Sequence, residues 1–229
     1  MTVLREIAAG VHVTRHGVRA TLVVGDDLAL VVDTLADEAQ ARGLLAAVRR
    51  VTALPLVVVN THEHAGHCGG NAVFAAEGAS RVAVPDHAGP APVPVPLGGG
   101  RVVHLRHAGR GHSAGDLVAL VPDADVAVVG DLVEQGGPPR FDDAYPLEWP
   151  DTLAALQPAL TGQTQVVPGH GTVVDAAFVR AQHEQLAALA WLIRDGDTDG
   201  APAERVAERS PFEGSLTAVR RGYAQLHKP

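Results

Sequence analysis

The sequence predicts a mixed α/β chain in which two β-sheets pack face to face and helices cover their outer sides. Three observations point there. Strand-like runs followed by a helical stretch occur twice, which suggests two similar halves, roughly 1–100 and 101–195, with C-terminal helices over 196–229. Several strand runs are continuously apolar, the mark of strands covered on both faces. Layering sheet on sheet with helices outside is the arrangement that buries all these faces. The 229 residues, 46 % of them hydrophobic, suffice for a single domain with a sizeable core. Aromatics make up only 3 %, so that core has to be built from Val, Leu and Ala.

The elements follow in order. Ala20–Val24 and Leu28–Val32 are β-branched runs separated by Gly25-Asp26-Asp27, as expected of a hairpin. Asp37–Arg50 reads as a helix, with Ala41, Leu44, Leu45 and Val48 on one face. Leu56–Val59 is a short buried strand, Asn71–Glu77 a short helix and Arg81–Val84 a short strand. Pro85–Gly100, rich in Pro and Gly, reads as a surface connection, since it suits neither helix nor central strand. A second β region comprises Val102–Leu105, Leu117–Val121 and Val126–Val129, with a turn signal at Pro122-Asp123-Ala124-Asp125. Trp149–Leu160 reads as a helix with Pro150 in its first turn. Gln165–Val167 is a strand, and Asp175–Ile193 a long helix striped by Val179, Leu186, Leu189 and Ile193. Ala203–Arg209 and Leu216–Leu226 are weaker helices.

The net charge is −8 and no basic cluster appears, so neither nucleic acid nor an anionic membrane is an expected partner. A small-molecule substrate is expected instead, and a homodimer is left open. Cys68 is the sole cysteine, which rules out an internal disulfide. No signal-peptide core opens the chain and no apolar run approaches the roughly 20 residues of a membrane span. A cytoplasmic location is the default expectation.

Chemistry concentrates in four short pieces, each following a strand-like run and so expected on a loop: Thr61-His62-Glu63-His64-Ala65-Gly66-His67, Gly111-His112-Ser113, Gly130-Asp131 and Pro168-Gly169-His170-Gly171. Twelve histidines occur in the chain, and five fall in these pieces. Any one of them, taken alone, reads better as a surface or hydrogen-bonded histidine. Taken together they read as a metal site, because neutral imidazole is the commonest metal ligand and a carboxylate often completes such a set. His12, His16, His87, His104, His107, His183 and His227 lie outside the pieces and read as structural or surface residues. There is no Gly-x-Ser-x-Gly elbow, dinucleotide fingerprint or P-loop.

The four pieces, in that order, resemble the metallo-β-lactamase-fold metallohydrolases, and in particular their hydroxyacylglutathione hydrolase-like branch. The resemblance runs from about Ala20 to the helix after Val174. It implies a four-layer αββα sandwich of two mixed sheets, with the site along one edge. It implies that His62, His64 and His112 hold a first metal, that His67 and His170 are ligands of a second, and that Asp131 bridges the two. Asp131 and His170 are then the catalytic residues, while Asp33 and Asp116 support the ligands without binding metal. The cofactor implied is zinc, one or two ions, with iron or manganese as alternatives.

The departure is Gly66, where the family has a metal-binding Asp. Glycine supplies no ligand, and even losses behind the ligands cost about 10- to 100-fold in metal affinity. The first site is expected intact and the second weakened. Glu63 is expected to point away from the ligands, and Cys68 to act as a small hydrophobe. The chemistry implied is hydrolysis of an ester, thioester, lactone or amide by metal-bound hydroxide. The alternatives are a mononuclear lyase or iron oxygenase, and a binding protein without turnover. Arg140 is a candidate anchor for an acidic substrate group, with Tyr145, Phe141 and Trp149 as candidate pocket wall.

Overall fold

The computed structural model describes residues 2–15, 17–81 and 91–227. A six-stranded sheet comprises β1 (Leu4–Ala8), β2 (Val11–Thr14), β3 (Thr21–Val24), β4 (Ala29–Val32), β5 (Leu56–Val59) and β6 (Ser80–Arg81), in that spatial order. The first four are antiparallel, and β5 and β6 add in parallel. The second sheet has five strands: β7 (Val93–Gly98), β8 (Arg101–Gly109), β9 (Asp116–Val121), β10 (Val126–Glu134) and β11 (Gln165–His170). Its last pair, β10 and β11, is parallel.

Side-chain alternation makes the layers. In β4, Leu30 and Val32 face the other sheet while Ala29 and Val31 face helices. In β10, Val126 and Val128 face inward and Ala127 and Val129 outward. The central layer therefore joins Val11, Val23 and Leu30 of one sheet to Leu105, Ala119 and Val167 of the other. The outer face of the first sheet is covered by α1 (Glu38–Val51) and α3 (Asn71–Ala76), which bury Leu44, Val48 and Phe74 against it. The second sheet is covered by α4 (Trp149–Leu156), α5 (Ala176–Thr198), α6 (Ala203–Ala207) and α7 (Leu216–Leu226). Asp37 and Asp175 cap α1 and α5, each accepting a backbone N–H three residues on.

Several boundaries differ from the sequence reading. Strands β1 and β2 went unread, because edge strand β1 carries Arg5 and Glu6 and shows little apolar alternation. Part of the expected connection Pro85–Gly100 is a strand. Residues 85–90 lie outside the described residues, but Val93–Gly98 pairs with β8 at the sheet edge. Pro94 and Pro96 are exposed while Val95 and Leu97 point into the core, the placement an edge strand allows proline. This strand belongs to the second sheet, so the sheets divide before residue 93 rather than near 100. Of Arg81–Val84, residues 82–84 lie outside the described residues. The expected helix Trp149–Leu160 is α-helical to Leu156 and finishes as a 3-10 turn over Gln157–Ala159.

Candidate metal centre

The four pieces converge at the C-terminal ends of β5, β8 and β11 and in the C-terminal half of β10. His62 and His64 lie on the loop after β5, and His112 on the loop between β8 and β9, as expected. The other positions correct the loop expectation. His67 sits in a one-turn helix, α2 (Ala65–Cys68), Asp131 lies within β10, and His170 ends β11. Glycines shape those strand ends. Gly130 has a left-handed backbone (φ +55°), and a Cβ there would come 2.6 Å from the Thr61 side chain. A Cβ on Gly169 would lie 1.7 Å from Asp131 Oδ1, so only glycine lets that carboxylate stand where it does. The Arg19 N–H holds the same segment by donating to the Gly169 carbonyl at 2.8 Å.

His62, His64 and His112 form one close group, with ligand atoms all within 4.8 Å of one another. Their rings lie 4.7–4.9 Å apart, centre to centre. Hydrogen bonds behind the rings set their tautomers. The Thr61 hydroxyl donates to Asp33 Oδ2 (2.8 Å) and therefore accepts from His62 Nδ1 (3.0 Å), leaving His62 Nε2 bare. His64 Nε2 meets Asp143 Oδ2 at 2.9 Å, which turns Nδ1 toward His112 Nε2, also 2.9 Å away. Trp149 stands edge-on behind His112 at 5.7 Å. Burial, helped by neighbouring His67, pushes His62 down to about 3. Burial likewise lowers His112 to about 4, against the pull of Asp131. Both rings are thus neutral at ordinary pH, the form that binds metal.

Asp131 is the hub. Its Oδ2 lies 3.4 Å from His112 Nε2, 3.6 Å from His170 Nε2 and 3.7 Å from His62 Nε2. Its Oδ1 lies 3.1 Å from His67 Nε2, without hydrogen-bond alignment. Burial works to raise the Asp131 pKa, but His67, His112 and His62 outweigh it and hold the carboxyl well below its usual range. His67 Nδ1 is gripped by Asp33 at 2.7 Å. Burial alone would lower His67, yet Asp131 and Asp33 on either side of the ring push it up to about 10. Two further close groups exist, His62–His67–Asp131 and Asp131–Glu134–His170. His67 and His170 do not share one, and their rings are 5.8 Å apart.

A divalent cation fits this arrangement. His62 Nε2, His67 Nε2, Asp131 Oδ1 and Glu134 Oε1 are buried without hydrogen-bond partners. Such atoms are costly unless something satisfies them. A set of imidazoles and carboxylates is what zinc-like ions take.

Supporting residues are also in place. Asp33 follows β4 with a left-handed backbone (φ +66°) and accepts from Thr61 N–H at 2.8 Å as well as from Thr61 Oγ1 and His67. Asp116 accepts from Ser113 N–H (2.9 Å) and Ser113 Oγ (2.7 Å), pinning the loop that carries His112. Burial raises Asp116 to about 7 despite those bonds. Glu63 is exposed, and the Cys68 thiol donates to the Glu63 carbonyl, so neither joins a ligand group. Nothing in the backbone demands glycine at 66, where a Cβ would meet only Val18 Cγ2, at 3.7 Å.

Two clefts flank the cluster. One, of about 650 Å³, is lined by His62, His64, Glu63, Arg110 and Asp143. The other, of about 470 Å³, is lined by Glu134, His170, Arg140 and Phe141. Arg140 is exposed at that second cleft. Tyr145 lines neither cleft, since Arg110 and Arg221 cover its ring at 4.8 and 5.9 Å. Trp149 is core, its Nε1 donating to the Leu132 carbonyl at 3.1 Å. His104 and His107 lie within β8, His12 in β2 and His183 in α5, while His227 meets Asp197 at 2.8 Å. His16 and His87 lie outside the described residues. Among the described residues, no helix is long and apolar enough to cross a membrane.

The sequence reading missed Glu134. It lies three residues after Asp131, and in a regular strand that spacing turns two side chains to opposite faces. Register shifts on either side of Gly130, the second running to Glu134, break that rule. The available signal was a second carboxylate three residues after Asp131, closing an otherwise apolar run.

Comparison with known proteins agrees with this architecture. A family model described as the metallo-beta-lactamase superfamily matches residues 13–104, a span that includes His62, His64 and His67 but ends before His112. No curated protein matches the chain. Among solved structures, a metallo-beta-lactamase from Pontibacter korlensis is similar at 21 % identity, covering 82 % of this chain and 99 % of its own, with a TM-score of 0.71. Two mixed sheets flanked by helices, with a His/Asp cluster where their strand ends meet, give this chain the metallo-β-lactamase fold.

Proposed function

We propose that the chain is a metal-dependent hydrolase acting on an ester, thioester, lactone or amide of a small molecule. The observation that supports this most is the gathering of His62, His67, His112 and His170 around Asp131, with the buried Nε2 atoms of His62 and His67 bare and His64 completing a three-imidazole group with His62 and His112. His62, His64 and His112 would hold the first ion, zinc by their chemistry, and three imidazoles leave a fourth position open. Such an ion supplies an activated water at neutral pH and polarises a carbonyl oxygen. Asp33 and Asp143 keep the imidazoles turned inward, and Asp131, held ionised, accepts a hydrogen bond beside the reacting atoms. Arg140 anchors an acidic part of the substrate at the second cleft.

A second reading, a mononuclear non-hydrolytic enzyme or a binding protein, is favoured by Gly66 alone. Two measurements decide. Metal analysis of purified protein, with and without added zinc, gives the stoichiometry. A panel of thioesters, lactones, β-lactams and phosphoesters is then assayed with zinc, manganese and iron against Asp131→Ala. Equal background rates for both proteins on every substrate and metal would sink the hydrolase reading.

A further inference from the structure

Among the described residues, Glu134 is the one buried acidic side chain beside the cluster that the expected ligand scheme leaves without a task. It is 6 % exposed, and its Oε1 is buried with no hydrogen-bond partner. Its backbone is firmly placed. The N–H donates to Gln182 Oε1 at 3.0 Å, and Gln182 Nε2 donates to the Leu132 carbonyl at 2.9 Å. Across the parallel pair, Glu134 stands opposite His170. One ligand atom from each of Asp131, Glu134 and His170 lies within 4.8 Å of the others, the span over which one ion can be shared. A buried carboxylate is costly unless a cation or donors meet it.

We infer that Glu134 supplies the carboxylate that Gly66 cannot, so that a second divalent cation is held by Asp131, Glu134 and His170. The inference rests on the metal-dependent reading above. It accounts for two facts together: a backbone at residue 66 that would accept a side chain, and a buried Glu134 Oε1 without a hydrogen-bond partner, in register with His170. His67 then serves the shared wall of the site rather than the second ion alone, since it groups with His62 and Asp131 and not with His170. The second set, two carboxylates and one imidazole, is richer in oxygen than the first and suits a harder cation. It also opens on the cleft that Arg140 lines, away from His64.

The test is a titration of metal-free, full-length protein with zinc and, separately, manganese. It uses a competing chromophoric chelator and native mass spectrometry, and reads binding steps rather than activity. Wild type should take up two ions. Glu134→Gln should weaken the second step by at least about 10-fold and leave the first unchanged. The double variant Gly66→Asp with Glu134→Gln should regain the second ion. If Glu134→Gln does not fold, Glu134→Asp keeps the charge but withdraws the ligand, and should weaken the same step. Two ions bound equally well by wild type and the Glu134 variants would overturn the inference. One ion in wild type, lost in His112→Ala, would overturn it while sparing the hydrolase reading. No ion at all would overturn both.

Discussion

The two sides of the candidate metal centre are built on different plans. On the first side, His62, His64 and His112 come from two loops, and a carboxylate reaches two of the rings from behind, Asp33 through Thr61 and Asp143 directly. On the second side, His67, Asp131, Glu134 and His170 come from a one-turn helix and two strands bent by glycine. The first side places imidazoles by hydrogen bonds to their outer nitrogens. The second places carboxylates by close backbone approach, as at Gly169. On the inference above, a missing ligand is made good on the second side, where Glu134 stands beside Asp131 and His170, whereas the first side depends on all three of its imidazoles.

The sharpest way to break this contrast is His112→Ala. It should weaken the first ion by at least about 100-fold, beyond what losses behind the ligands cost. Zinc competition titration reads it directly, and unchanged affinity would remove the basis for calling the three rings a site. Next in size is Asp33→Ala, which strips partners from Thr61 N–H, Thr61 Oγ1 and His67 Nδ1 at once. Affinity should fall about 10- to 100-fold on both sides. Each orphaned buried donor should cost about 1–3 kcal/mol in urea unfolding. An effect confined to one side would show that Asp33 does not join them.

Gly66→Asp should tighten the second ion by about 10-fold, since the site gains a ligand with only Val18 to brush against. Metal analysis at limiting zinc is the measurement, and an unchanged ratio would mean that the second side is already complete. The smallest effect concerns pH in chelator-treated protein. His67 is raised to about 10 and Glu134 to about 8, so the folded chain holds protons that the unfolded chain has released. Stability falls as pH rises through those windows, most steeply between 6.5 and about 8 where they overlap. Between 4.5 and 6.5 the lowered His62 and His112 offset the raised Glu134 and Asp116, and below 4.5 the lowered His62 and Asp131 make stability fall with acid. Urea midpoints across pH test this, and stability that climbs from 6.5 to 8 would contradict the ion-paired state of His67.

The same contrast explains what could be read from sequence. The continuous apolar runs of β3, β4, β5 and β9 and the capped helices α1 and α5 are local signals, and the layers follow from them. The spacing of His62, His64, His67 and His112 is local too. Strand β7 hid behind its prolines, because only a sheet edge makes Pro94 and Pro96 harmless, and which strand forms an edge is not a local property. Glu134 hid because the bulge that turns it toward His170 arises from pairing between β10 and β11. Tyr145 was expected at a pocket wall from its crowded loop, but two arginines distant in sequence cover its ring.

Those arginines have a consequence for how the molecule breathes. Arg221 on α7 donates to the carbonyls of Asp142, Asp143 and Ala144, the loop whose Asp143 holds His64. When those bonds open, the loop loses three backbone anchors at once, and Asp143, the partner of His64, is no longer held. Amide exchange in α7 and in residues 142–145 should therefore rise and fall as one unit, which makes the docking of α7 a control on how firmly His64 is aimed.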